Sequence, residues 1–350
     1  MTTDKAPESP ADPGMHALEK IRSFLQVEDE WSSRMDRGFA WWGWLQAQVV
    51  AAAPVRTVAS GVCGSQVIVF TDLGWCDELT KESIAHLWDL SYRTGAGGGP
   101  YLDSSPDGKV VVRLAATAFV HEGMKEQMGG LLALAASFQL FSAAKEAPLL
   151  DAIGLRPLVS ARPDGTPRHS PAEAVLAVAE LVGETPEGEN AWRRQAEFDA
   201  TAEVLREELG IDCAVRDHFL SALLPSPGGR ECLVTAQASD GHPDFGSGLA
   251  LTTHTQREIR PDAPRDHLLP LLMNRTELGD EGGPVAFGSW CAAPSPLVPE
   301  EPERLFLTHT SFWPSFTFAP GLLPRHLAMH SVGRARRAGR WIESLSGSGL

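Results

Sequence analysis

The chain has 350 residues, 43% hydrophobic and 21% charged, so it is long enough for two globular domains and too apolar to be disordered. Its formal net charge is −15. Residues 1–150 hold 12 basic and 18 acidic side chains and the remainder holds 18 and 27, so neither half is basic. This charge argues against nucleic acid and anionic membrane as main partners.

Cysteine usage and the N-terminus indicate the compartment. The five cysteines are odd in number and include no C-x-x-C pair, which is typical of free thiols in a reducing compartment. Residues 1–13 are polar and proline-rich, without the apolar core of a signal peptide, and no apolar run approaches the ~20 residues of a membrane span. We therefore predict a disordered N-terminus over 1–13 and a cytoplasmic protein.

The first predicted domain covers residues 14–150. An amphipathic pattern over 14–30 predicts a helix, and an aromatic-rich stretch follows. A second helical pattern covers Glu82–Tyr92, and a long helix begins near Met124. The predicted strands are 45–53, 55–63, 66–73, and a hairpin of 101–102 and 109–120 around the turn Ser105-Pro106-Asp107-Gly108.

Residues 151–190 have the composition of a linker with one short helix. Ser170, Pro171 and Glu173 supply an N-cap, a proline at the first helical position and a capping-box acid. We therefore predict a helix over 171–182 that ends at Gly183.

The second predicted domain covers residues 191–346. It begins with a helix over 191–209, for which Gly210 is a suitable left-handed terminator. The remaining elements are strands at 213–224, 231–239 and 248–259, a helix at 265–278, strands at 285–291 and 305–318, and a closing helix at 323–345.

Both predicted domains show one order of elements: helix, three strands, helix, two strands, helix. Each unit buries its apolar faces by packing helices on a sheet. The sequence therefore predicts an α+β fold of two tandem α-β-β-β-α-β-β-α domains, each an antiparallel sheet packed with helices.

This order resembles that of the type III secretion chaperone and YbjN-like superfamily. The most similar stretch is Tyr101-Leu102-Asp103, then Pro106-Asp107-Gly108 with Lys109–Val112, then a helix opening at His121-Glu122-Gly123. The Trp41-Trp42 pair is similar to a feature of paired-domain proteins of GC-rich bacteria. An excess of arginine over lysine, 24 to 6, is typical of such genomes.

The resemblance implies a non-catalytic function. Secretion chaperones of this superfamily are acidic homodimers that bind an extended client segment along helix grooves and sheet edges. Two domains on one chain would replace the homodimer. The additional helix at 171–182 departs from the pattern, and the chain itself is an alternative occupant of the client groove.

Two regions are candidate protein-contact surfaces. Trp41, Trp42 and Trp44 alternate along an extended stretch, so one face is expected to be open to a partner, unless the helix at 14–30 covers it. The last helix carries Arg334 and Arg337 with Trp341. These arginines would contact acidic segments, and a solvated helix face is the simpler alternative.

The sequence contains no convincing catalytic or metal motif. The glycines at 95–99 follow a helix and lack the lysine of a phosphate-binding loop. His121 and Glu122 suit a helix start as well as acid–base chemistry. His326 and His330 have metal-ligand spacing, but neighbouring arginines would repel a cation. We predict no catalytic residues, no metal and no cofactor.

These observations favour a non-catalytic chaperone or adaptor that binds a protein or peptide client. Two alternatives remain open at this point. One is a structural subunit of a homo- or hetero-oligomer, including a homodimer. The other is an enzyme with an unrecognised site between the domains.

Overall fold

The computed structural model describes residues 12–56, 63–158, 166, 168–183, 190–226, 230–279, 285–318 and 328–347. Its α-helices are α1 (Pro13–Phe24), α2 (Lys81–Arg93), α3 (Lys125–Glu146), α4 (Glu173–Gly183), α5 (Gln195–Glu207), α6 (Pro264–Leu278) and α7 (Ala328–Gly347). The N-terminal residues 1–11, part of the predicted disordered stretch, lie outside the described residues, and α1 begins at Pro13 with Asp12 as its N-cap.

The strands form two antiparallel sheets. In the first half of the chain they are β1 (Ser32–Met35), β2 (Gly38–Trp41), β3 (Gln48–Arg56), β4 (Cys63–Cys76), β5 (Gly99–Ser104), β6 (Val110–Val120) and β7 (Arg156–Pro157). In the second half they are β8 (Cys213–Arg216), β9 (Phe219–Ser226), β10 (Arg230–His242), β11 (Gly246–Ile259), β12 (Val285–Ala286), β13 (Ser289–Ala293) and β14 (Leu305–Pro314).

The two halves have the same strand order. The first sheet runs β1-β2-β3-β4-β6-β5, with β7 beside β4, and the second runs β8-β9-β10-β11-β14-β13. The predicted α+β class, with antiparallel sheets packed with helices, is confirmed. The structure adds a strand to the first group in each half, which therefore contains four strands.

Turn chemistry accounts for the additional strands. The predicted run 213–224 is divided into β8 and β9 by Asp217 and His218, whose φ angles are 48° and 62°. Positive φ at both central residues makes the two-residue hairpin that best matches the twist of its strands. In the first half, β1 and β2 lie in the aromatic-rich stretch, which predicted no strand. Of the predicted strand 55–63, Val55 and Arg56 are the end of β3 and Cys63 is the start of β4, and residues 57–62 lie outside the described residues.

Both hydrophobic clusters of the core contain residues from both halves. The larger one joins α1, α3 and the first sheet to α5 and the second sheet. The smaller one joins Leu87 and Trp88 of α2 to Leu269, Trp290 and Trp341. In addition, β12 pairs with β6 and so extends the first sheet with a strand from the second half.

The helix α3 forms part of the centre of this core. The stretch Glu122–Ile153 is long and apolar enough to cross a membrane, but 72% of its most apolar window is buried inside the molecule. Phe138 of α3 packs against Phe245 of the second half, with ring centroids 5.2 Å apart. Such burial is that of a core helix in a soluble α+β protein.

Candidate functional site

The predicted tryptophan surface is largely covered. Trp41 is fully buried and its indole Nε1 donates to Glu28 Oε2 at 2.9 Å. Trp42 is buried and Trp44 is half-buried. The sequence predicted that one face of this stretch would be open to a partner unless the helix at 14–30 covered it, and the two buried rings do not form such a face.

The linker supplies part of that cover. Arg168 donates to Glu28 Oε1 at 2.7 Å and to the Trp42 carbonyl at 3.0 Å, and its guanidinium lies 5.1 Å from the Trp31 ring centroid. Four residues later, the Ala172 N–H donates to the Gly43 carbonyl at 2.7 Å. The linker therefore lies on the aromatic-rich stretch instead of leaving it open to a partner.

Glu28 is held as a carboxylate by these contacts. Burial alone would raise the pKa of Glu28, but hydrogen bonds from Arg168 and Trp41 outweigh it and lower that pKa below its ordinary value. The carboxylate thus connects the linker to the first sheet.

The candidate residues of α7 do not share one surface. Arg334 is buried, and its Nε donates to Glu277 Oε1 at 2.8 Å. Trp290 Nε1 donates to the other oxygen of Glu277 at 2.7 Å. The Arg337 guanidinium is half-buried and lies 5.4 Å from the ring of Trp341, which is itself buried. The helix face with these residues belongs mainly to the core.

The rejected catalytic candidates have structural roles. His121 Nδ1 accepts from the Gly123 N–H at 3.2 Å, and Glu122 pairs with Lys125 at 2.6 Å, so both residues stabilise a helix start. At the glycine-rich loop, a Cβ on Gly99 would overlap the Ser289 hydroxyl. That loop is glycine-rich because the two halves approach closely there.

His326 lies outside the described residues, and His330 is half-buried on α7. Within the part of the chain that is described, no three His, Cys, Asp or Glu side chains group as metal ligands.

A network of charges joins the halves beside α2 and α3. The Glu146 carboxylate, 1% exposed, accepts from Arg93 at 2.9 Å and lies 2.7 Å from His86 Nε2. Asp244 of the second half pairs with Lys145 and lies 3.7 Å from Arg93. Because each of these groups has an opposite charge as its partner, the network is interpreted as a structural contact.

An open groove lies between α1 and the β1–β2 hairpin, and we call it the edge groove. Its volume is about 340 Å³. Apolar side chains of both elements line it, together with two arginines and two carboxylates. The residues are Met15, Leu18, Glu19, Arg22, Arg34, Met35, Asp36, Gly38 and Phe39.

The edge groove adjoins an open edge of the first sheet. Strand β1 ends the strand order of that sheet. The Trp42 N–H donates to the Trp31 carbonyl at 2.9 Å. Because hydrogen-bonded and non-hydrogen-bonded positions alternate along an antiparallel pair, the backbone N–H and C=O of Arg34 point away from β2. Met35 is 44% exposed and the Arg34 side chain is 79% exposed. The sequence did not predict this site, since Ser32–Met35 has no strand pattern.

No protein-family model matches this chain, and no curated protein or solved structure matches it significantly. The edge groove is therefore interpreted from its geometry and chemistry.

Proposed function

We propose that this protein is a non-catalytic chaperone or adaptor that binds an extended segment of another polypeptide in the edge groove. The observation that carries the proposal is an open groove of about 340 Å³ with an apolar floor, beside an edge of β1 that pairs with no other strand of the described residues. The predicted resemblance to a chaperone superfamily points to the same class of function.

The chemistry of the groove suits an extended apolar peptide. An exposed strand edge offers backbone donors and acceptors to a new strand, and pockets beside it select alternate side chains. Met15 and Met35 line the cavity. Methionine is flexible and polarizable, so it adapts to different apolar side chains and is common at promiscuous binding surfaces.

The groove is lined by charges of both signs, Arg22 and Arg34 with Glu19 and Asp36, and Arg34 is the one with an open position for a client. Arg34 is 79% exposed at the edge of the groove, and its closest charged neighbour is Asp29 Oδ1 at 3.8 Å. A carboxylate of the client can form a closer pair with this guanidinium. We therefore expect clients with alternating apolar residues, and where a client carries an acidic residue we expect it to lie beside Arg34.

An enzyme between the halves has less support. The charged residues that meet there, including Glu146 and Asp244, are already paired with cations. The edge groove has no nucleophile with an adjacent base among its lining residues. The five cysteines are free thiols, which supports a reducing, cytoplasmic location.

The test uses a display library of ten-residue peptides selected on the full-length protein. We expect selected peptides to bind Met35→Asp at least tenfold more weakly than the wild type, a loss of about 1.4 kcal/mol. Leu223→Asp is the matched control, because Leu223 is 46% exposed on β9, away from the groove. Fluorescence polarisation measures the affinity of each variant.

Backbone pairing is tested on the selected peptide itself. In a strand paired with β1, only alternate backbone amides of the peptide donate to β1. Methylation of that set of amide nitrogens should weaken binding, whereas methylation of the other set should leave the affinity unchanged. The proposal is overturned if no peptide depends on Met35. It is also overturned if light scattering shows that Met35→Asp only dissociates a homodimer, which would make the groove a self-association surface.

A further inference from the structure

A second cavity lies at the start of α6, in the second half of the chain. Its volume is about 550 Å³, within the usual range for small-molecule sites. Three guanidinium groups and one carboxylate line its polar side, and leucines line its apolar side. The residues are Arg257, Arg260, Arg265, Asp266, Leu269 and Leu345.

Asp266 orients two of the arginines. Its carboxylate is 4% exposed and accepts from Arg257 Nη2 and from Arg260 Nε, each at 2.7 Å. Each guanidinium has five N–H donors, so both retain donors for a further anion. Arg257 Nε is buried and has no hydrogen-bond partner among the described residues.

A break in strand pairing precedes this site. The register between β11 and β14 shifts between His254 and Glu258, and Arg257 lies within that irregularity. Bulges of this kind redirect a side chain and are common beside functional sites. The sheet therefore places Arg257 beside the start of α6 and not in the regular ladder.

The corresponding helix of the first half begins differently. Four residues separate β4 from α2, and four separate β11 from α6. The start of α2 is closed by a capping box, in which Thr80 accepts from the Ser83 N–H and Ser83 accepts from the Thr80 N–H. The start of α6 has Ala263 at its N-cap, with no side-chain hydrogen bond.

Charge is inverted at the same two positions. Because the two connections have equal length, Asp77 corresponds to Arg260 and Glu82 corresponds to Arg265. An acid in the first turn complements the helix dipole, as Glu82 does, whereas a base there opposes it. The first turn of α6 contains the base Arg265 as well as the acid Asp266. The base opposes the helix dipole, and an anion against the helix start would pair with it.

We propose that this cavity binds a dianionic phosphate monoester that carries a small apolar group. Three arginines and one aspartate leave a lining charge of +2, which matches a dianion. Planar guanidinium forks suit phosphate oxygens. The side chains of Leu269 and Leu345 would contact the apolar group.

The test is calorimetric titration with phenyl phosphate, inorganic phosphate and benzoate at constant ionic strength and pH 8. We expect phenyl phosphate to bind most tightly, because it has both the dianion and the apolar ring. The double variant Arg260→Gln with Arg265→Gln should bind it at least tenfold more weakly. Arg260 is 66% exposed and Arg265 is exposed, so both substitutions leave the core intact.

The matched control is Arg216→Gln with Arg275→Gln. Both arginines are exposed, the net charge change is the same, and Arg275 lies on α6 about 15 Å from Arg265 along the helix axis. The proposal fails if both double variants lose the same affinity, if the wild type binds no phenyl phosphate at millimolar concentration, or if benzoate binds as tightly. Peptide binding at the edge groove should be unchanged, so this result is independent of the proposed function.

Discussion

The helices α3 and α7 close the two halves at equivalent places in the chain, and their surroundings differ. Helix α3 packs between α1, the first sheet and the second half, and 14 of its 22 residues are buried. Helix α7 packs one side on β9, β10 and β11 and keeps Arg336 and Arg340 exposed. One strand order thus supports both a central helix and a peripheral, amphipathic one.

The difference shows how a helix that is buried on most sides carries polar residues. Gln139 of α3 donates to the Val69 carbonyl at 3.1 Å and accepts from Thr71 at 3.0 Å. Gln48 donates to the carbonyl of Ala136 at 2.9 Å. These hydrogen bonds between α3 and the first sheet offset the cost of burying the amide groups that make them.

The largest expected effect tests whether α3 holds the halves together. Phe245 is 1% exposed and its ring contacts Phe138 and Phe141 of α3. Phe245→Ala should lower the free energy of unfolding by about 4 kcal/mol, since it leaves a cavity between the halves. Urea denaturation measures the change.

Phe24→Ala is the matched control, because Phe24 is 50% exposed, and it should cost under about 1 kcal/mol. Equal losses for the two variants would show that Phe245 is not a central contact.

The next effect concerns the buried ion pair of α7. Glu277→Gln should lower the free energy of unfolding by about 3 kcal/mol, because it removes the carboxylate that accepts from the buried Arg334 guanidinium. The double variant with Arg334→Met should recover most of this loss. Glu301→Gln removes a 40% exposed partner of Arg304 and should cost under about 1 kcal/mol. Thermal unfolding compares the three, and no recovery in the double variant would exclude the buried charge as the cause.

Acid sensitivity is expected to arise in the second sheet. Burial lowers the pKa of His254 from 6.5 to about 4. The unfolded chain therefore binds a proton at this histidine more readily than the folded chain does. The contribution of neutral His254 to the free energy of unfolding is complete above pH 6.5 and is lost as the pH falls through about 4. His254→Gln should reduce the loss of stability between pH 7 and 4 by roughly 2 kcal/mol. Denaturation midpoints across this range test it, and unchanged pH dependence would contradict it.

The smallest expected effect is at the surface of the first half. Lys109 Nζ lies 3.9 Å from the centroid of the Trp75 ring. Lys109→Ala should cost about 0.5 to 1 kcal/mol, the usual size of an exposed cation–π contact. Lys125→Ala, which removes a lysine paired with Glu122, is the control in urea denaturation. A larger loss for the control would rule out the aromatic contact.

The sequence by itself determined the fold class, the repetition of one order of elements in both halves except for one strand in each, and several helix ends. The cap residues Ser170 and Pro171 located α4 to within two residues, and Gly210 follows α5 with a φ of 63°. These features are readable because periodicity, caps and turn residues act over a few neighbouring positions.

Only the tertiary structure decided what each apolar face meets. It placed Trp41 in the core, Arg334 against Glu277, and residues of both halves in the same clusters. It also left the edge groove open beside a strand that the sequence did not predict. A pattern of apolar residues indicates that a face must be buried. Which element buries that face depends on packing between segments that are far apart in the chain.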